Sequence, residues 1–226
     1  MALKEKPFAQ AVAERRATGS FDSTPIPEAD LREILRLGFE APSGYNLQPW
    51  RFVVVRDPEQ RKRLRAAAFG QPKVEEAPVV LVACGDPEAW RGENGDLEKM
   101  ISLAKEHGMI NDDVAKVIRT NVTNFLGNTP ADAGGVSPDF GLWANRHTMI
   151  AFTTLMWAAE TLGYDTAPME GFVESQVKQV LGIPDRVRVV ALLAIGKLKG
   201  ADKPYGGRFP IDYIAYDNTW GKGLKL

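Results

Sequence analysis

The stretch Ala41-Pro42-Ser43-Gly44-Tyr45-Asn46-Leu47-Gln48-Pro49-Trp50-Arg51-Phe52 separates two kinds of hydrophobic pattern. Before it, Leu31, Ile34, Leu35, Gly38 and Phe39 follow the i, i+3, i+4, i+7, i+8 spacing of an amphipathic helix. Pro27, Glu28 and Asp30 suit the first turn of that helix, through proline's fixed φ and the attraction of acids to its positive end. Ala41-Pro42-Ser43-Gly44 then breaks it. Gly44 lets backbone approach a flat group closely, Asn46 and Gln48 offer donors and acceptors, and Pro49-Trp50 anchors the turn in the core. After it, Phe52-Val53-Val54-Val55 reads as a short buried strand ended by Asp57-Pro58. On these residues alone, an ordinary helix-to-strand loop and a ligand-binding loop are about equally supported.

Working outward, a Lys- and Arg-rich helix is predicted from about Glu59 to Ala68. Val79–Cys84 and Val187–Ile195 read as two further apolar strands. Three strands beside several helices, with a poor βαβ rhythm, favour an α+β layered fold. Residues 86–140 are polar and weakly periodic until Val114–Phe125. They read as an insertion or lid, partly helical, within one domain spanning 1–226. Trp143–Leu162 is apolar on nearly every face, which predicts a central, fully buried helix. The tail from Lys199 carries Tyr205, Phe209, Tyr213, Tyr216 and Trp220 with little periodicity. Aromatics are costly to leave in water, and a second subunit is a natural cover for them.

Composition narrows the function. The chain has 226 residues and a net charge of −1, so it has no basic field for nucleic acid. A single cysteine, Cys84, forms no internal disulfide and fits a reducing compartment. The N-terminus lacks an apolar signal region and no stretch is long enough to span a bilayer, so a cytoplasmic protein is expected. Rossmann, P-loop and nucleophile-elbow motifs are missing. The two histidines, His107 and His147, lie far apart with no metal-ligand spacing, so no metal is expected. Cys84 ends a buried strand and reads as a small core residue.

Four segments, taken together and in order, carry more. Ala41–Phe52 closely resembles the flavin-contacting loop of the nitroreductase family. Glu14-Arg15-Arg16, with Phe21 and Pro25-Ile26-Pro27, resembles its N-terminal R-R-S-x-R-x-F element. Gly163–Phe172, with Pro168-Met169-Glu170-Gly171, resembles its G-x-x-x-x-P-M-E-G-F element, and Arg208 its late phosphate-binding arginine. The resemblance covers nearly the whole chain outside 86–140. It implies a three-layer nitroreductase-like fold, a mixed sheet flanked by helices. It also implies a homodimer with FMN in two interface sites and each C-terminal tail exchanged onto the partner.

By the same resemblance, Arg15 and Arg16 are phosphate and ribityl contacts and Arg208 is a second phosphate clamp. Pro42, Ser43, Gly44 and Asn46 edge the flavin slot. Gln71 and Lys73 meet the ring's pyrimidine side, with Lys73 stabilising charge near N1 and O2. Pro168, Met169, Glu170 and Gly171 lay backbone against the ring, with an N–H near N5 offered around Glu170 and Gly171. No side-chain acid or base is implied. The chain departs from the family at Ala17 and Gly19, where a serine and a second basic residue are missing. Thr18 or Ser20 is a candidate for the hydroxyl and Lys203 for the charge, although sequence alone gives Lys203 no position.

The implied activity is an FMN-dependent oxidoreductase. It would take hydride from NAD(P)H and reduce an electron-poor small molecule, such as a nitroaromatic or quinone, by a ping-pong mechanism at one shared site. The chain has no separate nucleotide domain, which fits such sharing. Phe125, Trp90 and His107 of the insert are candidates for the substrate-facing wall. Two alternatives remain open: an FMN-binding storage or sensor protein without significant turnover, and an interaction module that has lost the cofactor.

Overall fold

A computed structural model describes residues 5–128 and 140–225. Five strands form one sheet: β1 (Phe21–Asp22), β2 (Trp50–Val55), β3 (Val79–Gly85), β4 (Asp165–Met169) and β5 (Arg188–Leu198). Their order is β1-β5-β3-β2, with β4 also paired to β5. Every pairing between these strands is antiparallel, and a parallel bridge joins Ala17 to Thr166. The helices are α1 (Phe8–Glu14), α2 (Glu28–Gly38), α3 (Pro58–Ala67), α4 (Pro72–Glu76), α5 (Asp96–Glu106), α6 (Asp112–Asn128), α7 (Phe140–Thr161), α8 (Glu174–Leu181) and α9 (Ile211–Ile214).

The alternation of β3 builds the layers. Val80, Val82 and Cys84 face Leu64, Val74 and Val177 of α3, α4 and α8. Val79, Leu81 and Ala83 face Leu31 and Ile34 of α2 and Phe152, Leu155 and Ala159 of α7. A strand buried on both faces reads as a continuous apolar run, as β3 does. The result is the expected α+β arrangement of helices, sheet and helices. Two strands escaped the sequence reading. β1 has only two residues, and β4 (Asp-Thr-Ala-Pro-Met) carries a proline and no alternating apolar face. Both are recruited by pairing to β5, a nonlocal cause.

One other expectation needs correction. The helix read as fully buried, α7, keeps Arg146, Ile150 and Thr153 exposed along one stripe. The sheet and α2 cover its inward side, and α1 packs on it through Phe8 against Trp157. The segment read as a partly helical insertion or lid carries two helices, α5 and α6, with their own core. Leu97 and Ile101 of α5, Ala115, Val122 and Leu126 of α6, and Trp90 are buried together with Leu47 and Trp143. Residues 129–139 of that segment lie outside the described residues. Among the described residues, no helix is long and apolar enough to cross a membrane.

Candidate functional site

The N-terminal element is shaped by the end of α1. At Arg15 the backbone leaves the helix for an extended conformation. Arg16 Nη1 then donates to the carbonyl oxygens of Ala13, Glu14 and Arg15 at 2.9–3.0 Å, placing a cation at the negative helix end. The Thr18 amide donates to the Thr166 carbonyl at 3.0 Å, which locks the element onto β4. Arg15 lies over the Trp157 ring, 5.7 Å from its centre, and its Nη1 is buried without a hydrogen-bond partner. An orphaned guanidinium nitrogen is expensive unless an anion completes it. The serine missing at Ala17 has no evident replacement. Thr18 is buried, and the Ser20 hydroxyl donates to Glu76 Oε2 at 2.8 Å.

Several other expected site residues converge here. Gln71 Nε2 donates to the Gly171 carbonyl at 2.8 Å and the Ala68 carbonyl at 3.1 Å, tying the start of α4 to the segment after β4. The Met169 side chain is in the core, so only its backbone is available to a ligand. Pro168 is half-buried in β4 and Glu170 is exposed beyond it. Lys203 fills the space at Gly19: a Cβ there would stand 3.2 Å from Lys203 Cε and 3.7 Å from Nζ. Tyr205 gathers two more cations, with the guanidinium carbons of Arg16 and Arg208 at 4.7 and 5.8 Å from its ring centre.

Pro42, Ser43, Gly44 and Asn46 form a separate feature. Tyr45, Asn46 and Gln48 all have left-handed backbone (φ 53°, 53° and 46°), a costly run for non-glycine residues. Two side-chain hydrogen bonds and a buried anchor hold it. Ser43 Oγ accepts from the Gln48 amide at 3.0 Å, Gln48 Nε2 donates to Asn46 Oδ1 at 3.1 Å, and Trp50 is buried just beyond. Strain maintained by surrounding structure marks functional loops more often than neutral ones. No contact among those described joins this loop to the Arg15–Lys73–Gly171 group.

Sequence reasoning passed over two neighbours of these groups. His147 lies behind the loop, its Nε2 3.3 Å from where a Gly44 Cβ would be. Its Nδ1 is buried and unpartnered, and burial, then the Arg146 charge, pulls its pKa down. Phe69 is 68% exposed, has φ 53°, and lies 3.6 Å from where a Gly171 Cβ would stand. Neither residue carries a sequence signal, because a lone histidine or phenylalanine in an apolar segment reads as core. Of the insert residues considered for the wall, Phe125 packs on Tyr45 at 5.5 Å between centres. Trp90 is buried in the insert's core, and His107 caps the C-terminal end of α5. No cluster of possible metal ligands occurs among the described residues.

Glu160 sits next to this group, buried, accepting from the Thr166 hydroxyl at 2.6 Å. Burial pushes its pKa up to about 7, only partly countered by Thr166, Arg15 and Lys6. The folded state therefore holds a proton that the unfolded chain loses near pH 4.5. Stability from this group is greatest below that pH and falls as pH rises to about 7, by at most about 3 kcal/mol. Glu160→Gln keeps the acceptor for Thr166 and removes the titration. It should match the parent at pH 4.5 and exceed it at pH 8 in urea unfolding. Equal pH dependence in both proteins would refute the assignment.

Comparison with known proteins adds a consistent set of relatives. The profile of the nitroreductase family matches residues 12–197. The chain is 37% identical to the NADH dehydrogenase of Thermus thermophilus over 82% of this chain and 84% of that one. It is 31% identical to MhqN of Bacillus subtilis, which carries the name NAD(P)H nitroreductase, over 92% and 98% of the two chains. Among solved structures, an Exiguobacterium sibiricum protein in complex with FMN is similar with a TM-score of 0.80. It is 28% identical, over 95% of this chain and 99% of that one.

Proposed function

Because the chain belongs to the nitroreductase family, we propose that it is an FMN-dependent oxidoreductase that oxidises NAD(P)H and reduces an electron-poor small molecule. The observation that carries this reading is a set of cations: Arg16 and Arg208 about Tyr205, Lys203 against Gly19 with Lys73 within reach of its charge, and Arg15 next in sequence to Arg16. It includes a buried guanidinium nitrogen with no partner, beside the exposed Gln71–Gly171 contact. That donor set fits a ligand with a phosphate at one end and a flat polar ring at the other. A relative solved with FMN supports the same cofactor.

Arg15, with its planar fork, would meet the phosphate, and Arg16 and Arg208, both close to the Tyr205 ring, would flank it. Lys73 and Gln71 would meet the pyrimidine edge, and the backbone of Pro168–Gly171 would lie along the ring. When bound, FMN supplies the redox chemistry, while the protein supplies position and charge. Donor and acceptor would alternate at one face, giving ping-pong kinetics. Nitroaromatics and quinones suit such a site.

The loop Pro42–Asn46 would complete the slot from the partner subunit of a homodimer. This reading is supported by the lack of contact between the two groups within one chain. It is also supported by the open apolar surface of Phe8, Val12 and Ile150 on α1 and α7, and by the uncovered tail. The protein should therefore purify yellow, with about one FMN per chain, and NADH or NADPH should bleach it anaerobically. A protein that stays colourless with excess FMN would refute the cofactor. Tight FMN without bleaching would favour the storage or sensor reading.

Arg15→Ala should weaken FMN binding by roughly 1.5–3 kcal/mol, the scale of a charge-assisted hydrogen bond. Riboflavin, which lacks the phosphate, should lose much less. Equal losses for the two flavins, measured by fluorescence titration, would assign Arg15 another role.

A further inference from the structure

Lys73 and Lys203 are close enough for the charge of Lys203 to act on Lys73, yet the carboxylates around them are engaged elsewhere. Glu75 pairs with Arg65 at 2.9 Å. Glu76 accepts from the Ser20 hydroxyl and the Phe21 amide. Asp202 accepts from the Lys203 backbone amide at 2.7 Å. Burial, and then the Lys203 charge, pull the Lys73 pKa down, so the charged form of Lys73 is costly where it stands. Among the described residues neither ammonium has an ion-pair partner, and two like charges held together in this way form a receptor for an anion, which would reverse that cost.

The position of Lys203 is set by a glycine. A Cβ at Gly19 would press on Lys203 Cε at 3.2 Å, so a side chain at 19 and the lysine at 203 compete for the same space. We propose that Lys203 supplies from the C-terminal tail the cation missing at position 19, and that with Lys73 it forms a two-ammonium site for the pyrimidine edge of the reduced flavin. The proposal rests on the FMN reading and deepens it.

The flavin phosphate is the other anion that such a pair would attract. It already has the unpartnered Arg15 and the Arg16–Tyr205–Arg208 group. Lys73, by contrast, stands two residues after Gln71, in the first turn of α4, and the Gln71 side-chain amide is bonded to the Gly171 carbonyl, where the ring is placed. Reduction puts negative charge around N1 and the C2 carbonyl of the ring. A pre-positioned cation therefore binds the reduced form more tightly than the oxidised one.

The test compares the midpoint potential of bound FMN, by spectroelectrochemistry, in the parent and in Lys203→Ala. Lys203 is exposed, so its removal leaves the core untouched. The expected result is about tenfold weaker binding of reduced relative to oxidised FMN, a potential lower by about 30 mV for two electrons. Affinities for oxidised FMN and riboflavin should change by less than about threefold. Gly19→Lys added to Lys203→Ala should restore the potential, since the new side chain enters the vacated space.

An unchanged potential in a flavin-binding Lys203→Ala protein would overturn this proposal alone. So would a loss of FMN affinity that spares riboflavin while the potential stays constant, which would make Lys203 a phosphate ligand. If the parent protein binds no flavin, this proposal and the proposed function fall together.

Discussion

A chain ending at Ile214 should run as a monomer and lose FMN, although every proposed flavin ligand is retained. Beyond Tyr205 the tail is an organised arm with its large side chains exposed. Tyr205, Phe209, Tyr213 and Trp220 are 58%, 70%, 66% and 90% exposed. The rings are nevertheless arranged, Phe209 against Tyr213 at 5.2 Å and Tyr216 against Trp220 at 4.8 Å between centres. A bridge between Tyr216 and Gly223 and a bond from the Leu224 amide to the Ala215 carbonyl fold the last residues back toward α9.

Aromatic rings displayed in this way serve as anchors in a partner's pocket, each contributing about 2 kcal/mol or more when buried at an interface centre. Loss of Tyr216 and Trp220 should therefore weaken dimerisation at least 100-fold, on the order of 3 kcal/mol. Flavin should follow, because the Pro42–Asn46 edge would come from the other subunit. Light scattering combined with flavin absorbance reads both effects. A folded monomer that keeps full FMN occupancy would refute the interface site. A truncated dimer that keeps its flavin would show that the tail is dispensable.

Gly38→Ala should be among the most destabilising single-methyl additions in the protein. At the end of α2, a Cβ on Gly38 would stand 2.2 Å from Leu155 Cδ2 and 3.0 Å from Leu155 Cα. Leu155 is fully buried between α2, α7 and the sheet, so neither its side chain nor its backbone has room to retreat. Alanine's better helix propensity favours the variant by about 1 kcal/mol. Overpacking of a closed core costs about 1–3 kcal/mol and more when backbone must move.

The clash should win by about 2 kcal/mol, seen as a lower urea midpoint, and Gly38→Val should lose more. Leu155→Ala combined with Gly38→Ala should be less destabilised than the sum of the single changes, because the truncated side chain makes room. Additive losses, or a neutral Gly38→Ala, would show that the two helices do not approach this closely.

Residues themselves determined whatever rests on local pattern. The apolar spacing of α2 placed Gly38 on the buried face, and the aliphatic runs identified β2, β3 and most of β5. Residues 41–52 announced a helix end, a polar turn and a strand, and each is present. These features are legible because burial of an amphipathic face imposes a fixed period on the chain that forms it.

Tertiary structure decided what depends on distant partners. β1 and β4 are strands because β5 pairs with them, and their own residues carry no strand period. Residues 86–128 fold into two helices whose core closes over Leu47 and Trp143, supplied from outside that segment. The exposed stripe of α7 follows from which faces its neighbours leave open; Arg146 and Thr153 mark it in the sequence, but Ile150 between them reads as core. Lys203 shows the same limit most sharply. The sequence offers it as a candidate for the charge missing at Gly19 but gives it no position, and only chain folding brings its side chain into the space where position 19 has none.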